Sequence, residues 1–363
     1  MDKNAKHYGY GHDFGNSETC GVLAWQNGKN DLMFPSVYSD GSMLAVQEAA
    51  HGAMKDVGDY LGPDDYILEY TQGTTLVQKY IGKKAISDGK EKNTLSSTNR
   101  YWTNNYSLEA LMVGSGSCTR EKEYLLTVVT GLPIQLFSAT NAEKVKAALL
   151  GEHGFTLNGV DRRMKIVEVG VVREGAGALN AYGQKTGVQG IIDIGGETTD
   201  LYLAEGMKPK ELYCKGQNVG VAEAAIRFNV TFKAQFGYEL KHSQASQLLR
   251  EYVTNGTLVS TTRDNRGDAI PVARLCELIE NALISTGKDI TTFIQQTWKG
   301  ELRVIDRAYI VGGGAYYFSK YISTAEGMKF IEKADFPGMG NALGYAFFAK
   351  AMMARSKKEM AVA

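Results

Sequence analysis

Two short segments with the same layout, one near the start of the chain and one near its middle, constrain the fold most. Each follows a strand-like lead-in, begins with an aspartate and continues into glycine: Asp13-Phe14-Gly15-Asn16-Ser17 and Asp193-Ile194-Gly195-Gly196-Glu197-Thr198-Thr199-Asp200. Glycine lets backbone N–H groups approach an anion closely. An aspartate is repelled by a phosphate, but it can hold a divalent cation or a water beside one. The pair therefore predicts two hairpins that bind a nucleoside triphosphate.

An ordinary turn is the alternative interpretation of each segment. Asp-Gly turns are common in any fold, so Asp13 taken alone is more simply a turn. The second segment is more specific, because its two glycines are followed by Thr-Thr-Asp. Asp200 can either reach the same site or close the hairpin, and closing the hairpin is the simpler role.

The elements around the two segments repeat in the same order. Each glycine segment is followed by a second strand, and then by strands that alternate with helices. The strands are expected at 20–25, 124–130, 160–172, 201–204 and 308–311, and the helices at 141–150, 221–232, 274–298 and 340–353. Gly151 is expected to end the helix at 141–150. This order indicates an internally duplicated α/β unit.

Composition argues against several classes of partner and cofactor. Lys and Arg number 40, as do Asp and Glu, so no net charge attracts nucleic acid or an anionic membrane. The four cysteines form no C-x-x-C pair, which argues against a zinc or iron–sulfur site. The histidines show no ligand spacing, and His51, His153 and His242 are expected at the surface. No long apolar run occurs, so we expect a cytoplasmic protein without direct membrane or nucleic-acid contact.

Five segments, in their order along the chain, resemble the nucleotide site of the actin, sugar-kinase and chaperone ATPase superfamily. They are similar to the first phosphate loop, the first connecting helix, the second phosphate loop, the adenosine loop and the second connecting helix, at 13–17, 174–179, 193–200, 311–315 and 340–344. Each segment is weakly specific by itself, and the order carries the resemblance. It implies an α/β, duplicated actin-like ATPase fold of the ribonuclease-H-like class, with two domains around a nucleotide cleft.

Within this superfamily the chain more closely resembles the ParM-type bacterial and archaeal actin-like proteins. Phe34-Pro35-Ser36 follows the first hairpin, and Thr130-Gly131-Leu132-Pro133-Ile134 precedes a Lys-rich helix. The charged Glu197 follows the glycine pair where rod-shape actins and chaperones usually carry a third glycine. The resemblance is least clear at 40–100 and 235–270. One departure is Arg173-Glu174-Gly175, where relatives often have Pro-Gln-Gly.

The resemblance also implies domain boundaries. The first domain is expected to comprise residues 1–183 and 340–363, with an insertion subdomain at about 35–101. The second domain is expected at 184–339, with an insertion subdomain at about 221–272. These boundaries follow the order of the five segments.

Roles for individual residues follow from the resemblance. Asp13 and Asp193 are expected to orient a hydrated Mg²⁺ through water, and the catalytic pair is expected to be Asp193 with Glu174, which would position the attacking water. Contacts to ATP, or to GTP, are expected from Asp13, Gly15, Asn16, Ser17, Gly195, Gly196, Glu197, Thr198, Gly220, Glu223, Gly312, Gly313, Gly314 and Ala315.

Simpler interpretations exist for several of these residues. Glu174 could act as a helix N-terminal charge that interacts with the dipole. The glycines at 312–314 could form a plain turn between a strand and a helix. Gly220 and Glu223 are equally well explained as an ordinary helix start.

The resemblance most directly implies a nucleotide hydrolase coupled to filament assembly. Its expected partners are further copies of the chain and a DNA-binding adaptor of a plasmid segregation system. A small-molecule kinase of the same superfamily is the alternative, although no additional aspartate stands out in an acceptor-binding motif. A chaperone-like switch and a membrane-bound actin are disfavoured, because few residues follow Gly344 and no amphipathic anchor precedes Asp13.

Overall fold

The structure is a computed structural model that describes residues 5–41, 61–89, 93–94, 101–102 and 105–362, with the side chains of 93–94 and 357–362 not described. The chain divides into two compact units. Unit 1 comprises Met1–Ala181 and Met339–Ala363, and unit 2 comprises Tyr182–Gly338. The insertion expected at about 35–101 lies partly outside the described residues.

Unit 1 is built on a ten-stranded sheet in the order β3-β2-β1-β8-β10-β9-β5-β6-β4-β7. Its first two strands form an antiparallel hairpin, and β8 runs parallel to both β1 and β10. The strands are Lys6–Phe14 (β1), Glu18–Trp25 (β2), Gly28–Pro35 (β3), Val37–Asp40 (β4), Asp65–Gln72 (β5), Thr75–Gly82 (β6), Asn93–Thr94 (β7), Glu123–Leu132 (β8), Gly151–Leu157 (β9) and Val160–Arg173 (β10).

Helices cover both faces of this sheet. They are Lys83–Asp88 (α1), Tyr106–Cys118 (α2), Ala139–Leu149 (α3), Ala176–Tyr182 (α4) and Gly340–Val362 (α9). Alternate residues of a strand point to opposite faces, so Val128 of β8 packs in the core that contains α2, whereas Val129 packs against Tyr345 and Ala349 of α9. Each side of the central strands is therefore apolar, as expected for a sheet that is buried on both faces.

Unit 2 has a smaller sheet in the order β13-β12-β11-β15-β16, with β14 paired to β12. Its strands are Val188–Ile194 (β11), Thr199–Glu205 (β12), Lys208–Pro209 (β13), Lys215–Gln217 (β14), Arg307–Val311 (β15) and Ile331–Lys333 (β16). Its helices are Val221–Phe236 (α5), His242–Asn255 (α6), Val272–Thr297 (α7) and Ala315–Ser323 (α8). One core joins the sheet to these helices through the buried side chains of Phe228, Phe232, Trp298 and Phe318.

The hairpins that open the two sheets have matching registers. Asp13 is opposite Cys20 in the first hairpin, and Asp193 is opposite Asp200 in the second. In both units the first strand of the hairpin also pairs in parallel with the next strand of the sheet, β8 in unit 1 and β15 in unit 2. The predicted duplication of an α/β unit is confirmed.

Some element boundaries differ from the expected ones. β8 continues to Leu132, because Gly131 keeps its parallel pairing with β10. Gly151 does not end α3. The C-cap of that helix is Leu150, and Gly151 is the first residue of β9. α5 and α9 both run beyond their expected ends, to Phe236 and Val362. In the described part of the chain, no helix combines the length and the apolar character needed to cross a membrane.

Two connecting helices, α4 and α9, meet at glycines. A Cβ atom on Gly344 would lie 1.7 Å from the carbonyl oxygen of Gly177, and a Cβ atom on Gly177 would lie 2.4 Å from the ring of Tyr345. An overlap with backbone atoms cannot be relieved by rotating a side chain. The close approach of these helices therefore requires glycine at position 344.

We expect Gly344→Ala to lower the free energy of unfolding by about 3 kcal/mol, because a methyl group at this position forces the two helices apart. Urea unfolding followed by circular dichroism measures the change. Gly154→Ala in β9 is the matched control, since a Cβ atom there meets nothing within 4 Å. Equal unfolding midpoints for the two variants would contradict the prediction.

Candidate nucleotide-binding site

The first phosphate loop, residues 13–17, joins β1 to β2 in unit 1. Asp13 is half-buried near the end of β1, and Phe14 beside it is fully buried. The next two residues, Gly15 and Asn16, are half-buried, and Ser17 is exposed. The loop thus rises from the core to the surface within a few residues, which leaves its backbone accessible to a ligand.

Ser36, which lies between β3 and β4, is hydrogen-bonded to this loop. Its Oγ donates to the carbonyl oxygen of Gly15 at 2.7 Å, and its N–H donates to the carbonyl oxygen of Ser17 at 2.9 Å. The same Oγ lies 2.8 Å from Oγ1 of Thr19. Sequence reasoning noted Ser36 only within a family motif and assigned it no role. These bonds hold the loop in one conformation before any ligand binds.

The second phosphate loop, residues 193–200, joins β11 to β12 in unit 2 and has the same burial pattern as the first. Asp193 is half-buried, Ile194 is fully buried and Glu197 is exposed. The N–H of Gly195 donates to the carbonyl oxygen of Thr198 at 2.8 Å. This bond closes the turn, so the N–H of Gly195 is already satisfied within the loop.

Helix α5 begins directly against the second loop. The N–H groups of Val221 and Ala222 donate to the carbonyl oxygens of Gly195 and Gly196 at 3.2 and 2.8 Å. These bonds satisfy donors of the first turn that have no partner inside the helix. A Cβ atom on Gly220 would lie 2.6 Å from the Gly195 oxygen, so the helix start and the loop can meet only through glycine.

The Glu223 side chain, in the first turn of α5, is paired with Arg227. Its Oε1 accepts from Nε of Arg227 at 2.8 Å, and the same guanidinium donates to Asp289 at 2.6 Å. Such pairs four residues apart stabilise a helix modestly. This geometry agrees with the simpler interpretation of Glu223 as part of a helix start.

The third glycine segment follows β15 and lies beside the second phosphate loop. Gly312 has a φ of 80°, and a Cβ atom on it would lie 2.5 Å from Oδ1 of Asp193. The N–H of Gly314 donates to the carbonyl oxygen of Ile194 at 2.8 Å. The structure therefore brings Asp193 and the adenosine-loop glycines together within unit 2. Ala315 is fully buried at the start of α8, so its side chain belongs to the core.

Glu174 lies between β10 and α4 in unit 1. Its N–H donates to the carbonyl oxygen of Leu132 at 2.9 Å, which extends the pairing of β10 with β8 beyond the last strand residue. The side chain is half-buried, and its Oε1 accepts from the hydroxyl of Tyr101 at 3.4 Å. The backbone of Glu174 is thus anchored to β8, and Tyr101 contacts its carboxylate at Oε1.

Asn341, in the first turn of α9, fixes the backbone that follows Glu174. Its Oδ1 accepts from the N–H groups of Gly175 and Ala178 at 3.1 and 3.2 Å, and the side chain is 4% exposed. This satisfies donors at the start of α4 as a helix cap does. The sequence places Asn341 in the second connecting helix but does not indicate this contact. Its only local signal is an asparagine among small residues.

His12, directly before Asp13, is a buried titratable residue that sequence reasoning did not single out. Its Nδ1 lies 3.2 Å from the hydroxyl of Tyr10, and its ring packs edge-on against Phe14 with 4.0 Å between centroids. In the described part of the chain its Nε2 has no hydrogen-bond partner. Burial lowers the pKa of His12 to about 3, because the charged form would lose its hydration.

We expect the free energy of unfolding to fall by about 2 kcal/mol between pH 7 and pH 5 through His12 alone, because the unfolded histidine then binds a proton that the folded one does not. His12→Gln removes this contribution, and urea unfolding at the two pH values measures it. The matched control is His242→Gln, whose side chain is exposed. A pH dependence unchanged in His12→Gln would contradict the prediction.

The expected surface histidines fall into three groups. His242 is exposed, as predicted. The prediction is wrong for His153, which is half-buried because its Nε2 lies 3.0 Å from the carbonyl oxygen of Leu149. His51 lies outside the described residues.

Two family models match this chain. The model for the N-terminal domain of actin-like proteins matches residues 11–177. The model for the C-terminal domain of the MreB-like archaeal actin homologue matches residues 191–324. The fold and the two matches together define an actin-like protein. The chain belongs to the actin-like family that the sequence resemblance indicated.

Solved structures of actin-like proteins share the fold. The apo ParM protein of pSK41 is 16% identical, with 97% of this chain and 100% of that chain covered and a TM-score of 0.69. The archaeal actin homologue Ta0583 is 19% identical, with 95% and 99% covered and a TM-score of 0.72. The ParM of a 15-stranded filament from Clostridium botulinum is 18% identical, with 95% and 99% covered and a TM-score of 0.70. No curated protein matches the sequence significantly. The predicted actin-like fold is confirmed.

Proposed function

We propose that this actin-like protein is an ATP or GTP hydrolase whose nucleotide state controls its assembly into filaments. The observation that supports this most is the repeated hairpin, in which Asp13 and Asp193 occupy matching positions at the ends of buried strands. Glycine-containing backbone follows each aspartate, and backbone N–H groups are suitable donors to phosphate oxygens. Ta0583, which shares the fold, has been solved in complex with ADP.

The proposed nucleotide contacts follow the loops. In unit 1 they are made by Asp13, Gly15, Asn16 and Ser17. In unit 2 they are made by Gly195, Gly196, Glu197, Thr198, Gly220, Glu223, Gly312, Gly313, Gly314 and Ala315. Because the N–H of Gly195 is used within the turn, we propose that Gly196 is the main backbone donor of the second loop.

The aspartates fit a hydrated Mg²⁺. Carboxylate oxygens are the donors that Mg²⁺ prefers, and it usually keeps several of its waters in protein sites. Gly312 leaves space beside Oδ1 of Asp193 that a Cβ atom would fill. When bound with the nucleotide, the ion would neutralise phosphate charge.

We propose Glu174 as the residue that positions the attacking water. A general base is effective when its carboxylate is held in a fixed orientation. The backbone on either side of Glu174 is bonded to Leu132 and, through Gly175, to Asn341. These bonds limit the movement of the carboxylate before the nucleotide arrives.

The cellular role is proposed by resemblance to the ParM-type proteins. A ParM with this fold, from Clostridium botulinum, has been solved as a 15-stranded filament. We propose that filaments of this chain segregate plasmid DNA in the cytoplasm through a DNA-binding adaptor, without direct contact to DNA or membrane. Each unit would be one actin-like domain, with the insertion subdomains at about 35–101 and 221–272.

Light scattering with phosphate release on the same sample tests the proposal. We expect scattering to rise when ATP or GTP is added with Mg²⁺ and to decline as phosphate accumulates, while ADP produces no rise. Scattering that stays flat with both triphosphates, at concentrations well above micromolar, would rule out nucleotide-dependent assembly. Nucleotide consumption that depends on an added hydroxyl acceptor would instead support the small-molecule kinase.

A further inference from the structure

Tyr101 is a fully buried residue in contact with two parts of the proposed site in unit 1. Its ring packs edge-on against Phe14 of the first phosphate loop, with 6.1 Å between centroids and an interplanar angle of 75°. Its hydroxyl donates to Oε1 of Glu174 at 3.4 Å. One side chain therefore touches both the loop and the carboxylate.

The residue after Tyr101, Trp102, is in contact with α3. The ammonium group of Lys144, on α3, lies 5.3 Å from the centre of the Trp102 ring. A cation over an aromatic face is attracted by the negative potential of the ring. Phe14 is itself packed against His12, so the Tyr101 ring contacts a pair of buried side chains.

We propose that Tyr101 is a positioning residue for Glu174, an inference that rests on the proposed function. The hydroxyl donates to Oε1 and so restricts the rotation of the carboxylate that would orient the attacking water. A carboxylate bonded at one oxygen has fewer orientations than one bonded only to solvent, so less entropy is lost when the water is aligned.

Tyr101→Phe is the direct test, because it keeps the ring and its packing on Phe14 while it removes the hydroxyl. We expect kcat for phosphate release to fall roughly tenfold, as for loss of a hydrogen bond to a charged group, with KM and nucleotide affinity unchanged. Tyr124→Phe is the matched control. Tyr124 is equally buried in unit 1, and its hydroxyl lies 3.0 Å from Oγ of Ser115, a contact that does not involve Glu174. It should keep the wild-type kcat.

A double-mutant cycle separates positioning from a structural role. If Tyr101 acts through Glu174, Tyr101→Phe should produce no further loss in a Glu174→Ala background. A full tenfold loss in that background would overturn the inference. The inference would also be overturned if Tyr101→Phe hydrolysed nucleotide at the wild-type rate while Glu174→Ala was slow. That result would not contradict the proposed function. A wild-type protein that hydrolyses neither triphosphate would overturn the function and the inference together.

Discussion

Phosphate release is expected to become undetectable when Asp193 is replaced by alanine. Asp193 Oδ1 lies beside Gly312 at the end of a buried strand. The charge that would anchor the hydrated Mg²⁺ is lost, and with it the stabilisation of the developing phosphate charge. A steady-state assay with a sensitivity of roughly 10³-fold below the wild-type rate is sufficient.

Asp306→Ala is the matched control for Asp193. Asp306 Oδ2 accepts from the N–H of Val188 at 2.8 Å, so it bonds the opposite end of the same strand, β11. Loss of this carboxylate should change stability but leave turnover per folded molecule near that of the wild type. Near-normal phosphate release by a folded Asp193→Ala protein would remove Asp193 from the site.

Glu174→Ala is expected to slow hydrolysis by roughly 10²–10⁴-fold. A water-positioning group acts on the transition state and makes little contact with the ground-state phosphates, so nucleotide binding should be nearly intact. Phosphate release under single-turnover conditions and the affinity for a fluorescent nucleotide separate the two effects. Glu143→Ala is the control, because that carboxylate lies on the surface of α3 and pairs with Lys146.

The same variant tests the link between hydrolysis and filament lifetime. If hydrolysis destabilises the polymer, Glu174→Ala should assemble with ATP as the wild type does and disassemble far more slowly. A wild-type hydrolysis rate would mean that a neighbouring residue positions the water. Slow hydrolysis with a wild-type disassembly time would disprove the coupling.

Much of the fold could be predicted because its signals are local. Each hairpin is marked by an aspartate followed closely by glycine, after a lead-in that is poor in helix signal at 8–12 and β-branched at 190–192. Such a pattern favours a strand, a turn and a return strand. Helix ends were less predictable. Gly151 carries the usual signal for a helix end, but pairing with β10 draws it into β9 instead.

The supporting contacts of the site could not be predicted, because they join distant parts of the chain. Asn341 bonds to Gly175 across 166 residues, and Tyr101 contacts Glu174 across 73. Neither residue carries a pattern that specifies its partner, since partner choice depends on how sheets and helices pack. Ser36 belongs to a sequence motif, but its hydrogen bond to the first phosphate loop depends on where β3 places it in the sheet, which the motif does not specify.

If the loop at 311–315 binds the base as proposed, the contact between Gly312 and Asp193 limits which substitutions could change the purine preference of this chain. A side chain at position 312 would strike the carboxylate, and one at position 314 would strike Ile194 at 2.3 Å. Substitutions of Gly312 or Gly314 that would switch recognition from adenine to guanine are therefore excluded by these steric contacts, even if they improved the contacts to the base. Natural variation in base choice should instead accumulate at other positions around this loop, and a selection experiment on 311–316 should return glycine at 312 and 314 under either nucleotide.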